Sequence, residues 1–127
     1  MTRPERRDER GLADSTAWAL LMPLLLALIL GLLAVGLWMY ARMGAATAAA
    51  VAGDTAAAAT GDPDEARRKA IRIAENAGVR EIDVSISRAD GLVTVTVRGN
   101  AVLPVEVGGL GRIHEQATRP VEAATRP

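Results

Sequence analysis

The sequence predicts an α+β protein in which a long N-terminal membrane helix extends into an alanine-rich stalk, followed by one helix packed on a small antiparallel sheet. Three observations carry that prediction. They are a charge-free apolar run from Ala17 to Ala41, an alanine-rich tract after it, and a helical period followed by two stretches of alternation. The chain divides accordingly into a charged leader at 1–16, a membrane helix at 17–43, a stalk at 44–61 and a small extracytoplasmic domain at 62–127.

The apolar run is longer than the roughly 20 residues a helix needs to cross hydrocarbon. Ten of its twenty-five positions are Leu, which favours insertion by several kcal/mol, more than Pro23 or the glycines undo. Trp18 and Trp38 are separated by about 30 Å of helix, close to the hydrocarbon thickness, and read as interfacial anchors. Tyr40 and Arg42 extend the second anchor, with the Arg snorkelling toward headgroups. Arg3, Arg6, Arg7 and Arg10 precede the run and only Arg42 follows it closely, so the N-terminus is expected in the cytoplasm and the domain across the membrane.

From Gly44 to Thr60 the chain is mostly alanine, the best helix former, with weak points at Gly44 and Gly53. The membrane helix is expected to continue through this tract as a solvated spacer or as a surface for close helix packing. Ala27 with Gly31, and Gly44 with Ala48, supply small-residue spacings for such packing. Gly61 breaks the tract. Asp62, Pro63, Asp64 and Glu65 then form a helix start: N-cap, Pro at the first helical position, and acidic residues in the first turn. Ala66, Ala70, Ile73 and Ala77 recur at helical intervals as the inner face, and Gly78 ends the helix. The cluster Arg67, Arg68, Lys69 and Arg72 reads as a solvated face.

Ile82, Val84 and Ile86 alternate with polar residues, as do Val93, Val95 and Val97, on either side of Ala89-Asp90-Gly91. That is a β-hairpin. A lone hairpin is marginal, so its apolar face is expected on the 62–77 helix, with a third strand from Arg112 to Ala123. Pro104 and Gly108–Gly111 lie in the connecting loop, where Val102–Val107 allow a short extended stretch.

The composition excludes several functions. Fourteen Arg and one Lys balance fifteen acidic residues, so no basic excess recruits nucleic acid. There is no Cys, hence no disulfide, thiolate metal site or Cys nucleophile. The three serines lie outside any nucleophile-elbow motif, and the single histidine, His114, reads as an ordinary strand residue. No catalytic residue, metal site or cofactor is assigned, and the chain is read as a non-enzyme.

The Arg7-Asp8-Glu9-Arg10-Gly11 leader, the Trp-Ala-Leu-Leu-Met-Pro run from Trp18, the alanine-rich extension and the small α/β domain together resemble TadE-like pseudopilins of tight-adherence (Flp pilus) assembly. The resemblance implies cleavage by a prepilin peptidase between Gly11 and Leu12. It also implies packing of the exposed helix against other pilin-like subunits or the secretion machinery, and a place in a cell-surface structure. Such a cut removes all four leader arginines. Pro23 matches a proline that many pilin helices carry early in the apolar run. One position departs from the pattern: pilins carry Glu five residues after the cut, whereas Thr16 stands here, which points to a minor or tip-like subunit. Two readings stand beside this one. The leader is an uncleaved signal anchor holding an extracytoplasmic binding domain, or a signal peptidase cuts within Gly44–Ala50 and releases the domain.

Overall fold

The computed structural model describes residues 6–58, 60–105 and 108–122. Its elements are helix α1 (Arg6–Ala57), helix α2 (Pro63–Asn76), and strands β1 (Val79–Ala89), β2 (Leu92–Ala101) and β3 (Arg112–Pro120). The chain forms two compact units, Met1–Leu33 and Ala34–Pro127. The first contains the N-terminal part of α1, whose large apolar side chains from Leu12 onward are exposed except for the half-buried Leu30. The second holds the rest of α1, α2 and the sheet, and all of the buried core. This is the α+β architecture read from the sequence.

The strands form one antiparallel sheet in the order β1-β2-β3. The β1–β2 hairpin closes on Asp90 and Gly91, with φ of 53° and 74°, the positive values that a two-residue turn needs to match the twist of its strands. Ile86 faces Val95, and Val84 faces Val97. The third strand occupies the segment expected of it, with Val95 opposite Ala117 and Val97 opposite Glu115. The 102–105 stretch carries no strand.

Strand β1 contains a register shift between Arg80 and Asp83. It has a physical purpose. Strict alternation from the buried Val79 would turn Glu81 and Asp83 inward. The extra residue, with Glu81 at φ 54°, resets the phase so that Ile82, Val84 and Ile86 share the inner face with Val79. Opposite the bulge stands Gly99, where a Cβ would collide with the Val79 side chain and crowd the Arg80 carbonyl.

Helix α2 starts as its sequence dictates. The Asp62 carboxylate accepts from the Asp64 N–H at 3.0 Å, with Pro63 in the first turn. It ends at Ala77, whose N–H donates to the Ile73 and Ala74 carbonyls, and the Gly78 N–H donates to Glu75 O. Ala66, Ala70 and Ala74 form its buried stripe; Arg67, Arg68, Lys69 and Arg72 are exposed, with Lys69 paired to Glu65 at 3.2 Å.

The alanine tract behaves differently from a stalk. Ala41, Ala45, Ala48, Ala52 and Ala56, spaced four, three, four and four residues apart, are buried in the same cluster as Val93, Val95, Val97 and the α2 alanines. Helix α1 therefore supplies one wall of the domain core. With Val as the largest fully buried side chain, helix and sheet must approach closely for the interior to fill, and alanine methyls permit that approach. At its far end α1 is closed by the sheet: Arg88 donates to Ala56 O at 2.6 Å, and the Glu122 N–H donates to Ala57 O at 2.9 Å. These bonds serve carbonyls that the helix end leaves without partners.

Candidate membrane and assembly interface

Gly11–Ala57 is a helix long and apolar enough to cross a membrane, and none of its most apolar window is buried by the chain itself. Leu20, Leu24, Leu28 and Leu32 are among the exposed leucines. A helix hydrophobic on every side is stable only in lipid or against other apolar helices. Gly11 and Leu12, the proposed cleavage pair, lie within α1 and are exposed. Arg6, Arg7 and Arg10 belong to the same helix, while Arg3 lies outside the described residues. Thr16 donates its hydroxyl to Leu12 O at 2.8 Å, so its polar group is satisfied one turn back within its own helix.

The four expected anchors separate into two kinds. Trp18 and Tyr40 are exposed on α1. Trp38 is half-buried against the core, and its Nε1–H makes a long bond of 3.5 Å to the Arg112 carbonyl. Arg42 lies over the Trp38 ring at 5.4 Å and donates through Nε to Glu115 at 2.7 Å. Trp38 and Arg42 thus fix α1 to the start of β3 while also occupying the end of the apolar run. Further along, Arg119 donates through Nε to Asp54 at 2.7 Å. Helix and strand accordingly run in the same direction.

Arg112, Glu115 and Arg119 escaped the sequence reading. Their signal was present: Glu115 and Arg119 stand at inward positions of β3, opposite Val97 and Val93, where apolar residues are the norm. Their partners on α1 have the opposite charge. The small-residue spacings also resolve. Gly44 packs on Ala77, and Ala48 is buried, so that pair is used inside the domain; Ala27 and Gly31 remain exposed. The alanines at 45, 48 and 49 are likewise buried in the core, so a cut within Gly44–Ala50 would sever the domain from part of its own interior.

The outer face of the sheet is polar, with rows Asp83–Arg98–His114, Ser85–Thr96–Gln116 and Ser87–Thr94–Thr118. His114 is an exposed strand residue in the row of Arg98. Among the described residues no group of three or more His, Asp or Glu side chains is placed to hold a metal ion.

No curated protein and no solved structure matches the chain. A family model does: the one described as TadE-like protein matches residues 18–54. That span begins at Trp18 and ends at Asp54, and so covers the apolar run and most of the alanine wall. Over this segment the chain is similar to the TadE-like family, as its apolar run suggested.

Proposed function

We propose that this chain is a minor pilin-like, or pseudopilin-like, component of a tight-adherence assembly, acting by helix packing and protein contacts and not as an enzyme. Its N-terminus lies in the cytoplasm and its α+β domain on the other side of the membrane. The observation that carries this reading is a helix whose leucines are uncovered by its own chain, on a segment matching the TadE-like family. Prepilin-peptidase cleavage after Gly11 removes Arg3, Arg6, Arg7 and Arg10, the charges that would otherwise hold the helix end at the cytoplasmic surface. The matured helix then packs against helices of other pilin-like subunits. Thr16 supports a minor position: its hydroxyl is bound within its own helix and offers no carboxylate to the amino terminus of a neighbour.

The test is the intact mass and N-terminal sequence of the protein purified from its native membranes. A start at Leu12 is expected. A start upstream of Gly11 overturns processing and leaves an uncleaved signal anchor that carries a binding domain.

A further inference from the structure

Both edges of the sheet carry backbone groups that no strand of the chain takes up. Ala101 donates to Gly111 O and Val121 to Gly91 O, so the odd-numbered residues of β3 bond to β2 and the even-numbered ones turn their N–H and C=O groups outward. On β2 the even-numbered residues are then left for β1, where they meet Asp83, Ser85 and Ser87. Val84 and Ile86 therefore point their backbone groups outward too. On β3, Arg112 O and Thr118 O accept from the Trp38 and Arg119 side chains, which leaves His114 and Gln116 as the open middle of that edge. Open edges are templates for a further strand.

The two edges match each other. Strands β1 and β3 run in the same direction, each antiparallel to β2, so β3 of one copy meets β1 of a second as a parallel pair. Extending the existing rows sets His114 beside Asp83, Gln116 beside Ser85 and Thr118 beside Ser87 of the second copy. In this register the Gln116 N–H reaches Val84 O, and Gln116 O accepts from the Ile86 N–H. Underneath, Ala117 comes beside the half-buried Ile86, and Glu115, held by Arg42, beside Val84. Arg119 and Arg88 share a row, but Arg119 is bonded to Asp54, and Arg88 to the Ala56 and Gly61 carbonyls. The pairing ends at the Glu81 bulge, where the strand bends, so Arg80 lies outside it.

The helices agree with this register. Helix α2 turns at Gly78 into β1 and so runs opposite to α1, and Gly44 packs on Ala77; Ala50 is therefore level with Ile71, and Asp54 with Arg67. The neighbour's α2 presents its Ile71 side, which with Glu75 and Ile82 lines a groove beside the β1 edge. Exposed Arg67 lies on that side one turn away. Across the contact Arg67 meets Asp54, Ile71 meets Ala50, and Glu75 lies within side-chain reach of Arg42. Asp64, on the same side, falls level with Ala57, a turn beyond Asp54. Width is satisfied as well. Three strands span about 14 Å, so two helices, ordinarily about 8–10 Å apart, fit above them only if both contacts are close. Gly44 on Ala77 is the close contact within a copy. Gly53 meets Ala117 and Arg119 on the β3 side of α1, and Ala46 and Ala50, at helical spacing from it, keep that side small enough for the other.

We infer that the domain binds a second copy of this chain head to tail: the β3 edge of one copy, centred on Gln116, adds to the β1 edge of the next, with Arg67 paired to Asp54 beneath. A contact between unlike surfaces leaves the same two edges free at its ends, so it extends into a row. Every copy in the row keeps one direction for α1, whereas antiparallel pairing of like edges would reverse alternate copies. The contact is independent of leader cleavage.

The chain has no cysteine, so exposed Ser85 and Gln116 can each become its sole thiol. Opposed across the contact, their Cα atoms are about 4.8 Å apart, within disulfide range; inside one copy β2 separates them by about 10 Å, which is too far. Full-length Ser85→Cys, Gln116→Cys, an equal mixture of the two, and the double variant are reconstituted into phosphatidylcholine vesicles and mildly oxidised. The mixture is expected to give several-fold more dimer than either single variant, and the double variant a ladder of dimers, trimers and longer species. Adding Arg67→Glu to the double variant is expected to shorten the ladder without changing the melting temperature. No more dimer from the mixture than from the single variants overturns the inference. So does equal dimer from Ser85→Cys alone, which would pair like edges, and so does a ladder unchanged by Arg67→Glu.

Discussion

Gly44 and Ala77 are packed so closely that a side chain at position 44 would occupy the space of the alanine methyl. The contact joins the first turns of the alanine wall to the end of α2, and it fixes the distance between the two helices. In an open helix, Gly→Ala stabilises by about 1 kcal/mol. Here the added methyl must push the helices apart, at a cost of about 1–3 kcal/mol. Gly44→Ala is therefore expected to lower the domain's melting temperature by several degrees, and Gly44→Val by more. Gly36→Ala, with nothing within 4 Å of the new methyl, is expected to keep or slightly raise the melting temperature. Thermal circular dichroism of the detergent-solubilised protein checks the set.

The core alanines are set by space. Ala48 and Ala70 are fully buried, and enlarging either to Leu forces three extra carbons into an interior with no slack. Each substitution is expected to cost at least about 1–3 kcal/mol. Thr47→Leu, one residue from Ala48 but exposed, is expected to change stability by less than about 0.5 kcal/mol. Denaturant titration separates the two cases, because a solvated stalk would tolerate Ala48→Leu and Thr47→Leu equally.

The bulge and the turn make opposite demands on glycine. At Gly91 the surroundings are open and only the positive φ of 74° matters. Gly91→Ala should thus cost about 1–2 kcal/mol, as expected for a left-handed residue, without changing the fold. At Gly99 the backbone is crowded by Val79 and Arg80. Gly99→Val is expected to undo the register around Glu81, which amide hydrogen exchange would register as lost protection at Val79 and Arg80.

The two ion pairs that tie α1 to β3 are largely solvated, and their sum is small. Arg119 and Asp54 are 40% and 67% exposed, so Asp54→Ala should cost less than about 1 kcal/mol. Glu115, only 20% exposed, matters more through orientation. Glu115→Gln weakens the hold on Arg42 and is expected to alter Trp38 fluorescence, while a double-mutant cycle with Arg42→Ala gives a coupling of at most about 1 kcal/mol.

Much of this architecture is legible in the chain itself. The Asp62-Pro63 start of α2, the alternation around Asp90-Gly91 and the third strand from Arg112 follow from capping, period and turn chemistry. The role of the alanine tract does not. When nearly every position is alanine, no face is more apolar than another. The buried stripe of Ala41, Ala45, Ala48, Ala52 and Ala56 is then invisible to a periodicity argument. The reset at Glu81 was hidden for a related reason: alternation from Ile82 to Ile86 is regular by itself, and only the burial of Val79 reveals the change of phase. At the end of the apolar run, Trp38 and Arg42 were visible as candidate anchors. Their partners on β3 were not, because Arg112 and Glu115 lie more than seventy residues away.

That separation bears on how the protein is made. Helix α1 leaves the ribosome first and β3 last, so the alanine wall waits for most of synthesis before the strand that covers it exists. A wall of leucines would spend that interval as a sticky surface, prone to mispairing with other nascent chains or to sinking into the bilayer beside the true span. Methyl groups offer too little apolar area for either error. The composition that hid the wall from sequence reading thus also keeps the half-made chain out of trouble until the sheet closes over it.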